Sequence, residues 1–570
     1  MRTLTNRAPS FAMAAMLKSA STATAVTLGE FQECINAMFS KAAPYMKSID
    51  TSCFCRHGPL GSLMNSRIAV ALSGGPDSLA LCALLRKIYP KNKLMALFVH
   101  HNMQSRGVTE DPSVVKTALE QLDVEGRFLY INWGDTELQK LTKGQTQERL
   151  REKRYRLMLE ACAEDGISLL LTGHNCDDNI VTMLYRLAHG SGIEGLAGMK
   201  PLGLFPITHG LCDTHALGHP LLGFTKERLL KTCKDFGLTW NVDKGNKDLE
   251  YRRNSVTLAL ATMQEQSVVT LEELQEMQAF FQSYRQDLHE QIKPVFNRSV
   301  AINQQTGDAI LVLNDEKMVQ NWPVCVKVVS ILAHFASARF TPLRTGRLLE
   351  ISHKIIQAYK EHQRQLRSKS NRLIAKSRAS GLKYTHGPVE QSKRLETGQM
   401  CVGGAVFYPL IALDTMRRLM AVDRHQHRKL APGPALLVQR EPVSGLNSQQ
   451  TGFRAEEIEL APGEDFIWDG RLVIQYEAAS PERRRFAISF MSAADAKEFT
   501  SSANRAAIRS LYQHLGMTPG SHLYQIPMIR EIGSDYMAFP SLHVANDGQY
   551  TWKVKTVGVT ALISRFQFEP

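Results

Sequence analysis

The sequence predicts an α/β protein: a parallel sheet covered by helices, then a helical region, then a smaller α+β domain. Three observations carry this. Between residues 66 and 260 short apolar runs alternate with helical stretches, the pattern of strands buried on both faces and joined by crossover helices. From about residue 262 the apolar positions Leu271, Leu274, Met277, Phe281, Tyr284 and Leu288 recur at helical spacing. The C-terminal stretch, residues 441–570, mixes β-type runs such as Arg471 to Tyr476 with Gly/Pro turns and one helical segment near Ala503 to Leu515. At 570 residues the chain exceeds what one core supports, so roughly three to four domains are expected.

In order, the first 29 residues hold Arg2, Arg7 and Lys18, no acid, and many Ala, Ser and Thr, so residues 1–30 read as a transit peptide. Residues 31–65 follow as a helix and a linker. Arg67 to Leu72 is the first strand, ended by Ser73-Gly74-Gly75, and Leu79 to Leu85 continue as a helix. Further strands are expected at Leu94 to His100, Arg127 to Trp133 and Ser168 to Thr172, with helices near 110–122 and 145–164 between them. The sheet domain is thus 66–260, followed by a helical, basic region at 261–440 and the α+β domain at 441–570. In such a sheet, ligands bind beyond the carboxyl ends of the strands.

The net charge of +13 and pI near 9.2 favour a polyanionic partner, because cationic side chains release counterions condensed on phosphates. Arg364, Arg367, Lys369, Arg372, Lys376 and Arg378 cluster in one stretch, and Arg417, Arg418, Arg424, Arg428 and Lys429 in another. The plain alternative for either cluster is a solvated face. No apolar run approaches the ~18–20 residues that cross a bilayer, so no membrane segment is expected. Among the ten cysteines the only close pair is Cys53 and Cys55, too tight for half of a zinc site, and no C-x-x-C occurs. The cysteines read as reduced and structural.

Ser73-Gly74-Gly75-Pro76-Asp77-Ser78 lies between a strand and a helix, where an anion is easily held. The glycines let backbone N–H groups curl toward a phosphate, the hydroxyls of Ser73 and Ser78 add donors, and the helix presents its positive end. Pro76 loses only an N–H that the first turn leaves free anyway. No lysine follows as it does in a Walker loop, which disfavours a plain nucleoside triphosphatase. Asp77, at the mouth of the loop, is placed to hold Mg²⁺ against ATP oxygens or to take a proton. His174 and Asp178 are four apart, so on the first turn of a helix they share one face. One borderline ligand among oxygens suits Mg²⁺ better than a transition metal.

The hexapeptide resembles the SGGxDS signature of the PP-loop ATP pyrophosphatases. Gly173-His174-Asn175-Cys176-Asp177-Asp178-Asn179, Leu184-Tyr185-Arg186-Leu187 and Gly190-Ser191-Gly192-Ile193-Glu194-Gly195-Leu196-Ala197-Gly198-Met199 resemble GHxxDDQxETxLLRLxRGSGxxGLxGM of the tRNA(Ile)-lysidine synthetases. Val99-His100-His101, Arg151 with Arg154-Tyr155, Pro220-Leu221-Leu222, and Asp243, Asn246, Asp248, Arg253 and Asn254 match further motifs of that family, over about residues 66–256. The chain departs from it at Asn102 for glycine, Gln104 for arginine, Val181 for glutamate and His219 for arginine.

The resemblance implies a Rossmann-like PP-loop sheet, related to the adenine nucleotide α-hydrolases, and an ATP-dependent carbon-nitrogen ligase. That ligase adenylates C2 of the wobble cytidine of an isoleucine tRNA with a CAU anticodon, and free L-lysine displaces AMP to give lysidine. It implies ATP bound by Ser73, Gly74, Gly75, Pro76, Asp77, Ser78 and His101, with Mg²⁺ on Asp77. Catalysis falls to Asp77, His174, Asp178 and Arg253, the last against charge on the α-phosphate. Substrate falls to Asp177, Arg151, Arg154 and Asn254, with Arg367, Lys369 and Arg372 on the tRNA body. With the leader, it implies the mitochondrial matrix; a homodimer stays open. The competing readings are a PP-loop tRNA 2-thiolation enzyme, which generally needs paired cysteines, and a catalytically silent tRNA-binding homologue.

Overall fold

The structure, a computed structural model, describes residues 24–46, 67–103, 111–133, 141–207, 215–241, 252–303, 308–313, 315–337, 343–380, 400–402, 405–410, 435–440, 456–464, 466–468, 472–490, 527–534, 536–539, 544–545 and 550–556. The chain divides into two compact units that meet at Asp287 and Leu288.

In the first unit, strands β1 (Ile68–Leu72), β2 (Leu94–His100), β3 (Glu125–Tyr130), β4 (Leu169–Thr172), β5 (Leu202–Leu204) and β6 (Ala216–Gly218) form one sheet in the order β3-β2-β1-β4-β6-β5. All neighbours are parallel except β5 and β6. The period of two along each strand divides its side chains between two cores. Ile68, Val70 and Leu72 of β1, with Leu94, Ala96 and Phe98 of β2, pack against helices α1 (Leu28–Met46), α2 (Pro76–Ile88), α3 (Pro112–Leu122) and α7 (Lys226–Asp235). Ala69, Met95, Leu97 and Val99 face helix α4 (Lys143–Glu164) through Tyr155, Met158, Leu159 and Cys162. The chain runs outward from β1 to β3 and then returns to place β4 on the other side of β1. The carboxyl ends of β1 and β4 therefore flank the point where the strand order reverses, the place where open α/β sheets bind ligands.

Residues 24–30, assigned by composition to a leader, pack on this unit. Arg228 of α7 donates to the carbonyls of Thr24 (3.1 Å) and Ala25 (3.2 Å) and to both carboxylate oxygens of Glu30 (3.0 and 2.8 Å), while Val26 N–H donates to Thr232 Oγ1 at 2.9 Å. Helix α1 opens at Leu28, inside the expected leader, and buries Phe31, Ile35, Met38 and Phe39. Composition misses this because a few residues of packed chain carry the same small and apolar types as a transit peptide. The remainder of the expected leader, residues 1–23, lies outside the described residues.

After α5 (Cys176–Ala188) and the short α6 (Ile193–Leu196), helices α8 (Arg252–Glu265) and α9 (Leu271–Ser299) follow. Val181, which stands where the resembled family has glutamate, is buried with Cys176, Ile180, Met183, Leu260 and Leu274 between α5, α8 and α9, a place that suits an apolar side chain.

The second unit is less helical than its spacing predicts. Strands β7 (Val300–Asn303), β8 (Asp308–Val312), β9 (Met400–Val402), β10 (Ala405–Leu410) and β11 (Ala435–Arg440) form an antiparallel sheet in the order β7-β8-β11-β10-β9. The region expected to be helical through 440 therefore holds a five-stranded sheet. Runs such as Asp308 to Val312 are too short for periodicity to separate strand from buried helix. Helices α10 (Glu316–Gln320), α11 (Trp322–Ser337) and α12 (Thr345–Ser380) accompany it. Strands β12 (Glu456–Leu460), β15 (Arg484–Phe490), β16 (Pro527–Glu531), β17 (Met537–Phe539) and β18 (Val544–Ala545) make a second sheet, and β13 (Phe466–Trp468), β14 (Leu472–Glu477) and β19 (Thr551–Thr556) a third. Tyr476, Phe486, Tyr536 and Trp552 form their shared core, where Trp552 Nε1 donates to Tyr536 Oη at 2.7 Å. The helical segment expected at Ala503 to Leu515 lies outside the described residues. Among the described residues no helix is long and apolar enough to cross a membrane.

Candidate active site

The glycine-rich loop, residues 73–78, leaves the end of β1 and enters α2. Gly74 has φ +79°, a left-handed conformation, and a Cβ there would stand 2.9 Å from Asn241 Nδ2. Asn241 holds the loop from outside: its N–H donates to the Gly74 carbonyl at 2.9 Å, and its amide donates to the Asp111 carbonyl at 3.1 Å. Pro76 is at the first helical position and no side chain caps α2, which leaves the first-turn N–H groups open to an anion. The two serines knit the loop rather than stand ready for a ligand. Ser78 Oγ donates to the Gly75 carbonyl (3.0 Å), accepts from Ser73 N–H (3.2 Å) and lies 3.2 Å from Ser73 Oγ. The backbone of the loop is left as the main donor set.

Gly173, the first residue after β4, shows how tightly the two halves of the site meet. A Cβ there would lie 2.8 Å from Ser78 N and 2.9 Å from Asp77 C. Only glycine lets the end of β4 pass this close to the first turn of α2.

Asp77 Oδ1 is buried with no hydrogen-bond partner among the described residues. Burial raises its carboxyl to about 6; Lys226 pulls it down, the charges of Asp178 and Asp177 push it up, and a hydrogen bond from the Asn175 side chain pulls it down again. A carboxylate in a phosphate loop with one buried, unsatisfied oxygen suits a cation. Among the described residues no three His, Cys, Asp or Glu side chains converge as a metal set. Magnesium does not require one, since it binds through one or two carboxylates with substrate phosphates and waters. Sequence reasoning gives Lys226 no role in the site: Thr225-Lys226-Glu227 follows the Pro220-Leu221-Leu222 motif, but nothing in its spacing ties the lysine to Asp77.

His174 is not on a helix face. The helix begins two residues later with Asn175 as its cap, so the expected shared face with Asp178 is absent. Spacing does not reveal this, because an Asn one position earlier or later leaves the same pattern. His174 Nδ1 instead lies 2.8 Å from Thr172 Oγ1, and its ring meets the His219 ring edge-on at 5.0 Å. Burial lowers His174 to about 4, helped by the charges of Arg253, Arg154 and Arg151. The structure therefore brings Arg151 and Arg154, expected to bind substrate, and Arg253, expected to be catalytic, into the electrostatic reach of His174. Arg151 and Arg154 both also lie over the Tyr155 ring.

Asp178 completes a capping box with Asn175, whose Oδ1 accepts from Asp178 N–H at 2.9 Å, and its Oδ1 accepts from Arg253 Nη2 at 3.0 Å. The pair is half-exposed, so it orients both groups more than it stabilises the fold. Asp177, expected to bind substrate, is occupied elsewhere. Its Oδ2 accepts from Lys226 N–H at 2.8 Å and caps α7, whose own Thr225 supplies no side-chain cap. Asn254 follows Arg253 on α8, half-buried. His101 follows β2, and its carbonyl accepts from Trp133 Nε1 at 2.8 Å. Beside it, Asn102 has φ +56°, which explains the departure from glycine, because asparagine tolerates the left-handed region. Gln104 lies outside the described residues.

Arg367, Lys369 and Arg372 are on α12 in the second unit, with Arg367 exposed. The second basic cluster, Arg417 to Lys429, lies outside the described residues. Cys82, Cys162, Cys176 and Cys233 of the first unit are buried, and burial pushes each thiol up to about 12. These four are unsuited to sulfur transfer. Cys53, Cys55 and Cys212 lie outside the described residues.

With this geometry in hand, comparison with known proteins is specific. A PP-loop domain family matches residues 54–263. A tRNA(Ile)-lysidine synthase of Wolbachia pipientis wMel is 34% identical over 209 residues, 36% of this chain and 46% of that protein. One of Novosphingobium aromaticivorans is 31% identical over 199 residues, 35% of this chain and 57% of that protein. The match thus spans about half the length of these curated relatives. Among solved structures, the U34-tRNA thiolase NcsA from Methanococcus maripaludis is similar at a TM-score of 0.30 and 14% identity, over 43% of this chain and 80% of that one. Residues 54–263 of this chain thus match the PP-loop domain family, and the glycine-lined turn after β1 and the uncapped start of α2 agree with that match.

Proposed function

We propose that this protein is an ATP-dependent carbon-nitrogen ligase that converts the wobble cytidine of an isoleucine tRNA with a CAU anticodon to lysidine, as the name of its relatives suggests. The observation that carries the reading is the junction of the phosphate loop with the His174, Asp178 and Arg253 group, held together at Gly173. The loop backbone receives the ATP phosphates. The cytosine O2 attacks the α-phosphorus, and pyrophosphate leaves with the electrons of the α–β bond. Arg253 is placed to offset charge on the α-phosphate, an electrostatic contribution made by a group already oriented by Asp178. Mg²⁺ on Asp77 supplies charge neutralisation at the phosphates when bound.

The amine of lysine then attacks C2, AMP departs, and the surplus proton passes to a base. His174, kept neutral at physiological pH by its surroundings, accepts a hydrogen bond without carrying a charge that would repel an ammonium. Arg151, Arg154 and Asn254 line the approach of the substrate, and the basic α12 with Arg367, Lys369 and Arg372 holds the tRNA body. The leader, read with this chemistry, directs the protein to the mitochondrial matrix.

The test is formation of AMP and pyrophosphate by the purified chain. Pyrophosphate is expected once ATP, Mg²⁺ and the CAU isoleucine tRNA are present, AMP and continued turnover only when lysine is added, and nucleoside mass analysis should then show lysidine. Asp178→Asn should fold and lose lysine incorporation. An unaltered chain that releases no AMP with every reactant present sinks the reading.

A further inference from the structure

His219 stands where the resembled family carries arginine, and the structure gives it a specific partner. It follows β6 as His174 follows β4, and the parallel pairing of Leu171 with Gly218 brings the two rings side by side. Thr172 Oγ1 lies between them, 2.6 Å from His219 Nδ1 and 2.8 Å from His174 Nδ1, with the Gly218 carbonyl more distant at 3.5 Å.

A threonine hydroxyl has one proton to give. With both rings neutral, the two short contacts are satisfied best when the hydroxyl donates to one Nδ1 and accepts from the Nδ1–H of the other. The distances choose between the two arrangements. An N–H···O bond runs from about 2.7 to 3.2 Å, so the shorter contact, at 2.6 Å, falls outside that range and the longer, at 2.8 Å, within it. The 2.6 Å contact therefore belongs to the hydroxyl donating to His219, and the 2.8 Å contact to His174 donating to the hydroxyl.

We propose that His219 is a positioning residue: through Thr172 it fixes His174 as the Nδ1–H tautomer, so that Nε2 of His174 is a permanent lone-pair acceptor. The relay sets what the site recognises, because an acceptor at Nε2 takes a hydrogen bond from an N–H or an amine and gives none to a carbonyl. His219 is also held at its backbone, where its N–H donates to the Pro201 carbonyl at 2.8 Å. Both rings stay uncharged near neutral pH, as burial lowers His219 to about 3 and His174 to about 4. The catalytic meaning of the relay rests on the function proposed above; the proton arrangement does not.

The test uses the full chain labelled with ¹⁵N-histidine and long-range ¹H–¹⁵N correlation at pH 7.5, with His174 assigned from its missing signal in His174→Gln. The unaltered protein should show His174 with a protonated-type Nδ1 and an unprotonated-type Nε2, and His219 with the reverse. In His219→Phe the hydroxyl loses its acceptor and turns its proton toward His174, whose own proton should move to Nε2. Thr172→Val should release the same switch, and Thr172→Ser should preserve the original pattern. In AMP-release assays kcat should fall about tenfold in His219→Phe and Thr172→Val and less than twofold in Thr172→Ser, with the KM for ATP unchanged. A His174 protonated at Nε2 in the unaltered protein, or unmoved in both His219→Phe and Thr172→Val, overturns the proposal. If the spectra follow the expected pattern and no variant or parent releases AMP, the tautomer lock stands and the reading of function falls.

Discussion

Gly173→Ala adds one methyl group where the two halves of the site are closest. The new Cβ would lie 2.8 Å from Ser78 N, 2.9 Å from Asp77 C and 2.9 Å from Ser78 Cα, all backbone atoms that cannot rotate aside. Comfortable contact begins at about 3.5 Å, so the end of β4 and the first turn of α2 must separate by about 0.7 Å. Overpacking of this kind costs about 1–3 kcal/mol of stability. The larger effect falls on chemistry, because the phosphate cradle moves relative to His174 and Asp178, and a displacement near 1 Å costs on the order of a hundredfold in rate. Gly173→Ala should therefore retain its far-UV circular dichroism, melt a few degrees lower, and release AMP about 10- to 100-fold more slowly. Gly144→Ala, where a Cβ meets nothing within 4 Å, is the control and should match the parent in both measurements. Parental AMP release by Gly173→Ala would refute the close approach on which the site is built.

Further outcomes are expected from other parts of the first unit. Arg228→Met strands Glu30 and the Thr24 and Ala25 carbonyls, and with Glu30 a third exposed the loss should be about 3 kcal/mol or somewhat less by denaturant melt. Adding Glu30→Gln should recover part of it. A chain starting at Thr24 should melt like the full chain, whereas one starting at residue 47 should not fold. It forfeits Phe31, Ile35, Met38 and Phe39 at ~1.5–3 kcal/mol each, a sum comparable with the ~5–15 kcal/mol that holds a whole domain. Acid should destabilise this unit early. His174 and His219 have folded values of about 4 and about 3, below the unfolded 6.5, so the unfolded chain binds more protons throughout the window between. Stability is complete above pH 6.5 and declines as pH falls toward 4, by about 1.4 kcal/mol per ring at pH 5.5. A urea midpoint that stays flat from pH 8 to 5.5 would contradict the burial of the pair.

The strands of the first unit are legible because β1, β2 and β4 are continuous apolar runs ended by polar or glycine residues, and the phosphate loop because a glycine pair between strand and helix has few other uses. Position within the site is less legible. His174 reads as a helix residue because spacing alone does not mark the cap, and Asp177 reads as a substrate ligand because a carboxylate that caps a neighbouring helix looks the same in sequence. Thr172 and His219 are 47 positions apart, and only the parallel pairing of β4 with β6 makes them neighbours. In the second unit, short strands such as Val300–Asn303 and Asp308–Val312 lie among long helices, and a window wide enough to detect the helices averages them away.

The sheet order has a consequence for how the protein is made. Leu72 ends β1 and Leu169 begins β4, so 97 positions separate two strands that touch. At ribosomal speeds of about 5–20 residues per second, β1 waits roughly 5–20 s for this neighbour. During that interval the emerging chain has an open hydrogen-bonding edge and a phosphate loop with neither His174 nor Asp178 beside it, and Arg253 arrives later still. Nucleotide therefore meets only one side of its site on the nascent chain, and a holdase that shields the bare edge of β1 should matter more to yield than nucleotide in the medium.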